Sequence, residues 1–315
     1  MSSQALQADH RTGAPWDTGQ QGIQIRNLNK SFGKKHVLKD ITVDFAPNRV
    51  HGLLGANGVG KTTLMAVILN HKFRSSGEVL IDGEDPRENA KVLERTCFIH
   101  EDQKFHDDDT PTSLLRILPR FYPEWDAALA ERLASRFRLP MGTRTVKLSR
   151  GQRSALAIVI GLASRAPYTF MDEPYLGLDP AHRSLFYEEF AREIAEHPRT
   201  VILSTHLIDE VSDLLENVVM LEDGQVTLNA DIDHARDSAF VLRGLEPVVR
   251  ELVGERQVFR EHRLGNILSV TVDGSATDDD HRRAAQSNVS VEPVTLQELV
   301  AARGMRGMDN AEMSL

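Results

Sequence analysis

Nine consecutive residues constrain this chain more than anything else in it: Gly55-Ala56-Asn57-Gly58-Val59-Gly60-Lys61-Thr62-Thr63. They satisfy the spacing G-x-x-x-x-G-K-[ST], in which glycines let successive backbone N–H groups turn inward around an anion. The flanks suit that use. Val50 to Leu54 is a short apolar run of strand length, and Leu64 to Leu69 is an apolar run that suits a helix. Strand, glycine loop and helix in that order make a phosphate cradle. The helix N-terminus adds partial positive charge, Lys61 adds a full one, and Thr62 offers a hydroxyl to Mg²⁺. A glycine-rich turn with no ligand would leave the register of Gly55, Gly60, Lys61 and Thr62 unexplained. Binding of ATP or GTP is therefore the expectation around which the rest is read.

With 315 residues the chain is long enough for one large domain, or a large and a small one. Its longest apolar runs are interrupted by His, Asp or Arg within a dozen residues, so no membrane span is expected. Residues 1–22 are polar and carry Gly13, Pro15 and Gly19 without an apolar stretch, so they read as a disordered extension rather than a secretory signal. A cytoplasmic location follows. The one cysteine, Cys97 within Thr96-Cys97-Phe98-Ile99, fits a reducing compartment and reads as a buried strand residue, not a nucleophile. A net charge of −9 argues against a nucleic-acid partner, which needs a concentrated basic patch.

Along the chain, Ile23, Ile25 and Leu28, then Ile41, Val43 and Phe45, alternate as an antiparallel layer ahead of the phosphate loop. Phe32 between them reads from spacing alone as a core aromatic, with stacking on a nucleotide base as the sharper alternative. Gly77 to Gly83 and Cys97 to Ile99 read as further strands. Polar residues then lead into a helical insert, where Leu129, Leu133 and Phe137 recur at four-residue spacing. Asp107-Asp108-Asp109 reads as a solvated loop, because consecutive carboxylates point in different directions. The apolar helix after Leu148-Ser149-Arg150-Gly151-Gln152 begins at an end able to hold an anion.

Tyr168-Thr169-Phe170-Met171 delivers Asp172 and Glu173 at a strand's carboxyl end, the edge where nucleotide chemistry sits in open α/β sheets. Asp172 suits a Mg²⁺ ligand and Glu173 a general base for water, because metal and water flank the γ-phosphate. A plain acidic turn is the alternative, and beside a phosphate loop it loses ground. Thr200 to Ser204 is another apolar strand, and it leaves His206 at the same edge. Asn217 to Leu221 and Gln225 to Leu228 form a closing hairpin.

In order, Phe32, the loop 55–63, Leu148 to Gln152, Phe170-Met171-Asp172-Glu173-Pro174, Gly177-Leu178-Asp179 and Ser204-Thr205-His206 resemble the ATP-binding cassette (ABC) ATPases over about residues 23 to 230. The serine-glycine-glutamine motif ahead of the acidic strand, with the distal histidine, separates these from other phosphate-loop proteins. The resemblance implies an α/β phosphate-loop NTPase core with an antiparallel β subdomain and a helical insert at about 104–165. It implies that Phe32 stacks on adenine, that Lys61 and Thr62 engage phosphates and Mg²⁺, and that Glu173 is the catalytic base. His206 would sense the γ-phosphate, Ser149, Gly151 and Gln152 would reach the partner's ATP, and Asp179 would couple two sites in a head-to-tail homodimer.

Two departures stand out. Arg150 occupies the first of two positions at which the family usually has glycine. The position usually held by glutamine falls on Glu101, with Gln103 two residues on, so either is the Mg²⁺ and coupling residue; a carboxylate there predicts altered Mg²⁺ dependence. The expected function is the ATP-hydrolysing subunit of an ABC transporter, an exporter, peripheral on the cytoplasmic face of the membrane beside a separate transmembrane permease. The alternative is a soluble ABC ATPase with a non-membrane partner. Residues 231–304, with strands near Ser238 to Leu242, Asn266 to Val272 and Val289 to Val291, read as a small α/β appendage; Thr295 to Glu298 matches a capping box, and 305–315 read as a flexible tail.

Overall fold

A computed structural model describes residues 21–100 and 103–302. The expectations for residues 1–20, for Glu101 and for residues 303–315 fall outside it.

The opening alternation becomes β1 (Ile23–Phe32) and β2 (Lys35–Phe45), antiparallel with Ile23 opposite Phe45 and Ile25 opposite Val43. β3 (Val50–Leu54) is buried at every position, as a strand covered on both faces must be, and runs through the phosphate loop into α1 (Lys61–Ile68). β4 (Ser76–Ile81) returns to the far side of β1 and completes a three-stranded antiparallel sheet, β2-β1-β4. The short α2 (Ala90–Leu93) leads to β5 (Thr96–His100), which buries Cys97. Three helices follow: α3 (Pro111–Ile117), α4 (Ala127–Arg136) and α5 (Arg150–Ala163). Leu129 and Leu133 lie on the buried face of α4, one turn apart, with Phe137 buried at its end.

Next come β6 (Tyr168–Asp172), α6 (Pro180–Glu196), β7 (Thr200–Ser204), the single turn α7 (Ile208–Val211), β8 (Asn217–Glu222) and β9 (Gln225–Asp231). The central sheet has six strands in the order β5-β6-β7-β3-β8-β9, parallel except for β9, which folds back antiparallel on β8. Register fixes the chemistry: His100, Asp172 and Ser204 stand in one row at the carboxyl edge, with Ser204 opposite Leu53. The phosphate loop leaves β3 just beyond that row.

The helical segment is tied to the core by charge as well as by packing. Glu189 of α6 is fully buried and accepts from Arg132 at 2.7 Å and Arg136, both on α4, and from Arg192 at 3.1 Å. Removing those guanidinium partners would leave a buried carboxylate uncompensated.

Beyond the hairpin, α8 (Ile232–Asp237), β10 (Ala239–Leu245), α9 (Glu246–Val253), β11 (Val258–Leu264), β12 (Ile267–Asp273), α10 (Asp278–Gln286) and β13 (Ser290–Pro293) build a second antiparallel sheet, β11-β12-β10-β13. Phe240, Leu242, Val249 and Val270 share its separate core. The sequence reading missed β11. From Arg260 to Leu264 every residue of that strand is exposed, so it carries no apolar alternation to detect. Thr295 and Glu298 form the expected reciprocal cap, at 3.0 and 3.1 Å, ahead of a helix at 296–302. Leu296, Leu299 and Ala302 of that helix join the cluster that holds Met220 and Leu228 of the ATPase sheet.

Candidate nucleotide site

The loop geometry needs its glycines. Gly55 has φ +137°, and a Cβ there would lie 2.3 Å from the Leu221 carbonyl oxygen, so no other residue fits. Gly60, at φ +119°, is the N-cap of α1 and carries no side-chain cap, which leaves the first-turn N–H groups turned to the loop. Lys61 is folded back: its Nζ donates to Gly55 O at 2.7 Å and Ala56 O at 3.2 Å. Burial pushes its pKa down, against the charges of Glu173 and Asp172, which push it up. The side chain lies buried near two carboxylates, where charges are less screened than in bulk water.

At the end of β6, Asp172 is buried and its Oδ1 accepts from the Ser204 hydroxyl of the neighbouring strand. Glu173 turns the chain with φ +49°, an uncommon conformation for a residue with a side chain. Its Oε2 accepts from His206 Nδ1 at 2.7 Å and from the Tyr175 hydroxyl at 2.6 Å. A cleft of about 470 Å³ takes in Asn57, Gly58, Gly60, Lys61, Thr62, Thr63, Asp172, Glu173 and His206. Nine of the residues singled out from the sequence thus share one opening with Lys35 and Val37 of β2.

Phe32 corrects the expectation of a core aromatic drawn from spacing. Its ring is 44% exposed, with Lys30 Nζ 4.6 Å and Lys72 Nζ 5.1 Å from the centroid, because it ends β1 where the hairpin turns into solvent. Cations over a ring face are attracted by its quadrupole and keep an exposed aromatic ordered.

The serine turn lies elsewhere. Ser149, Gly151, Gln152 and Asp179 line a separate hollow of about 250 Å³. Ser149 Oγ accepts from Gln152 N at 3.2 Å while Gln152 Oε1 accepts from Ser149 N at 3.0 Å, a reciprocal cap on α5. Gln152, expected at ATP, here has its carbonyl committed to that cap. A Cβ on Gly151 would lie 2.4 Å from the Gly177 carbonyl oxygen, so the glycine serves a close approach inside the chain. Asp179 caps α6 through His182 N at 2.9 Å and also accepts from His182 Nδ1 at 2.8 Å. These bonds, the backbone one first, hold its carboxyl below the usual range. Gln103 lines a third hollow with Lys104, Thr145 and Arg153, away from the phosphate loop.

Sequence reasoning gave no role to Tyr175 or Ser204, both of which contact the acidic pair. Their one signal was position: Tyr175 two residues past Glu173, and Ser204 last in the strand beside β6.

Comparison with known proteins decides the family. A family model described as ABC transporter matches residues 38–176. ABC transporter ATP-binding protein YtrB of Bacillus subtilis is 30% identical over 215 residues, covering 68% of this chain and 74% of YtrB. The chain belongs to the ABC transporter family. Further ABC transporter relatives are the Nod factor export ATP-binding protein I of Cupriavidus metallidurans, 28% identical over 64% of this chain and 69% of that one, and the sulfate/thiosulfate import ATP-binding protein CysA of Mannheimia succiniciproducens, 28% identical over 76% and 68%. A dimeric post-hydrolysis structure of an ATP-binding cassette bound to ADP and Pi shares the fold, with a TM-score of 0.59 at 20% identity over 67% of this chain and 98% of that one. The chain is the ATP-binding subunit of an ABC transporter, an ATPase whose hydrolysis is coupled to transport. Among the described residues no helix is long and apolar enough to cross a membrane.

Proposed function

We propose that two copies of this chain close head to tail over two ATP molecules, each bound in one copy's cleft and covered by the other's serine turn. What supports this is a separation: Lys61, Thr62, Asp172, Glu173 and His206 open on one cleft, whereas Ser149, Gly151 and Asp179 open on another. A site divided over two surfaces of one chain is completed by a second chain under two-fold symmetry. In this reading Phe32 receives the adenine, the loop N–H groups and Lys61 hold the phosphates, and Asp179 links the two sites across the dimer.

Thr62 and Asp172 are hard oxygen donors in the same cleft, with Asp172 oriented by Ser204, a set that fits Mg²⁺. Bound there, the ion would neutralise charge on the phosphate oxygens. Glu173 takes a proton from water as the water oxygen bonds to the γ-phosphorus; the bond from that phosphorus to the bridging oxygen breaks, and ADP leaves with the electron pair. His206 holds a γ-oxygen. Loss of the γ-phosphate removes contacts made only in the closed dimer, the copies separate, and the difference drives a separate membrane-spanning permease. The coupling position falls to Glu101 or Gln103, and a carboxylate there implies an altered Mg²⁺ dependence. The chain works peripherally at the cytoplasmic face.

The experiment is Glu173→Gln. Hydrolysis should fall by at least about 100-fold, and ATP should convert the variant to a stable dimer by size-exclusion chromatography with light scattering. A variant that stays monomeric with saturating ATP and Mg²⁺ removes the two-chain site. Export is the direction proposed, on the likeness to the Nod factor export protein. Since an import protein matches at the same 28% identity, substrate accumulation in vesicles carrying the assembled transporter tests it.

A further inference from the structure

Tyr175 is a buried side chain for which the chemistry above has no task. Its ring is 1% exposed and packs against Tyr187 and His206. Its hydroxyl meets three groups at once: Glu173 Oε2 at 2.6 Å, Thr205 Oγ1 at 2.5 Å and the His206 backbone N at 3.2 Å. Counting protons fixes the direction of each bond. A carboxylate only accepts, so the phenol proton lies on Glu173. The phenol oxygen then receives the His206 N–H. Thr205 Oγ1 receives the Leu207 N–H at 2.9 Å, which leaves the threonine proton for Tyr175. The chain therefore runs one way, from Leu207 N–H through Thr205 and Tyr175 to the Glu173 carboxylate, and such chains polarise each successive bond.

We infer that Tyr175 is the positioning residue that keeps Glu173 aimed for hydrolysis, its hydroxyl holding Oε2 so that Oε1 is the oxygen presented to water. This rests on the reading of Glu173 as the general base. The two donors on Oε2 differ in one respect that decides their roles. The His206 side chain is 43% exposed and can turn toward a bound γ-phosphate, whereas the tyrosine is enclosed and cannot leave. When the histidine turns away, the tyrosine is the anchor that remains. The anchor is needed because Glu173 sits in the left-handed backbone region, a conformation that persists only where surrounding contacts hold it. Burial, reinforced by the Glu173 charge, raises the phenol pKa far above its ordinary range, so the donor keeps its proton.

Tyr175→Phe tests this, because it deletes the hydroxyl and keeps the ring. The expected result is a fall of about tenfold in kcat with affinity for a fluorescent ATP analogue within about twofold, and no further fall when added to Glu173→Gln. A kcat within about twofold of the parent overturns the inference, and so does an affinity that falls as far as kcat. Should Tyr175→Phe melt below the assay temperature, Thr205→Val decides: its kcat should fall by about threefold and Thr205→Ser should restore it, whereas an unchanged kcat overturns the inference. The two readings fail separately. Full hydrolysis by Glu173→Gln sinks the general base, while loss there with a fully active Tyr175→Phe sinks only the role of the tyrosine.

Discussion

Two helix ends of this ABC ATPase use the same backbone groups in opposite ways. At α1 the N-cap is Gly60, no side chain closes the turn, and the free N–H groups face the cleft with Lys61. At α5 the N-cap is Ser149, and the reciprocal bonds with Gln152 already satisfy one N–H at each end of the box. The first end leaves its N–H groups without a side-chain cap beside the cleft. The second is a stable helix start whose serine still has a hydroxyl proton to give. What separates them is side-chain chemistry at the N-cap and three residues on, since both helix ends carry a partial positive charge.

The largest effect that sharpens this contrast is expected at Lys61. Lys61→Ala should weaken ATP binding by on the order of 100-fold, because it deletes the buried full charge seated at the loop, where the N–H groups supply only partial ones. Titration with a fluorescent analogue measures it, and an affinity within tenfold of the parent would show that the open helix end suffices.

Acid should next separate the strand that feeds the cleft from the hollow. His51 in β3 is buried, edge-on to Phe45 at 5.3 Å, with Nε2 on Ala46 O at 2.8 Å. Burial, with a smaller push from Arg49, lowers its pKa to about 4. The fold excludes a proton that the unfolded chain takes up below about pH 6.5, so stability is lost as pH falls from there toward 4. Between pH 7 and 5 the unfolding free energy of the parent should drop by about 2 kcal/mol more than that of His51→Gln, read from urea melts. Asp179 at the hollow behaves differently. Its carboxyl is depressed, so its contribution persists through this window and fades only at lower pH.

Smallest is Ser149→Ala. Losing the cap should lower stability by about 1 kcal/mol, and ATP affinity of the isolated chain should not change, since the serine lies outside the chain's own cleft. ATPase activity of the dimer should still drop. A variant that loses monomer affinity for ATP would erase the distinction between the two ends.

Much of this was legible in the sequence because it is written locally. The phosphate loop is contiguous, Asp172 and Glu173 are adjacent, and alternation marked β1, β2 and the apolar central strands. The contacts that finish the site are not local. Ser204 reaches Asp172 across 32 positions, and Tyr175 reaches Thr205 across 30, through a strand pairing that no short window contains. Phe32 misled for the same reason, since apolar character does not reveal that a hairpin ends there. From Arg260 onward β11 is paired by its backbone while its side chains face water, which leaves composition little to report.

The helix at 296–302 has a mechanical meaning. The appendage departs from the ATPase sheet after β9, and its last described turn brings Leu296, Leu299 and Ala302 back into the core cluster that holds Met220, with Val300 lining a hollow shared with Gly55 to Val59 of the phosphate loop. A module fastened at its exit and again at its return cannot swing like a flag on a tether. The far sheet is held to the body by more than the chain that leads into it.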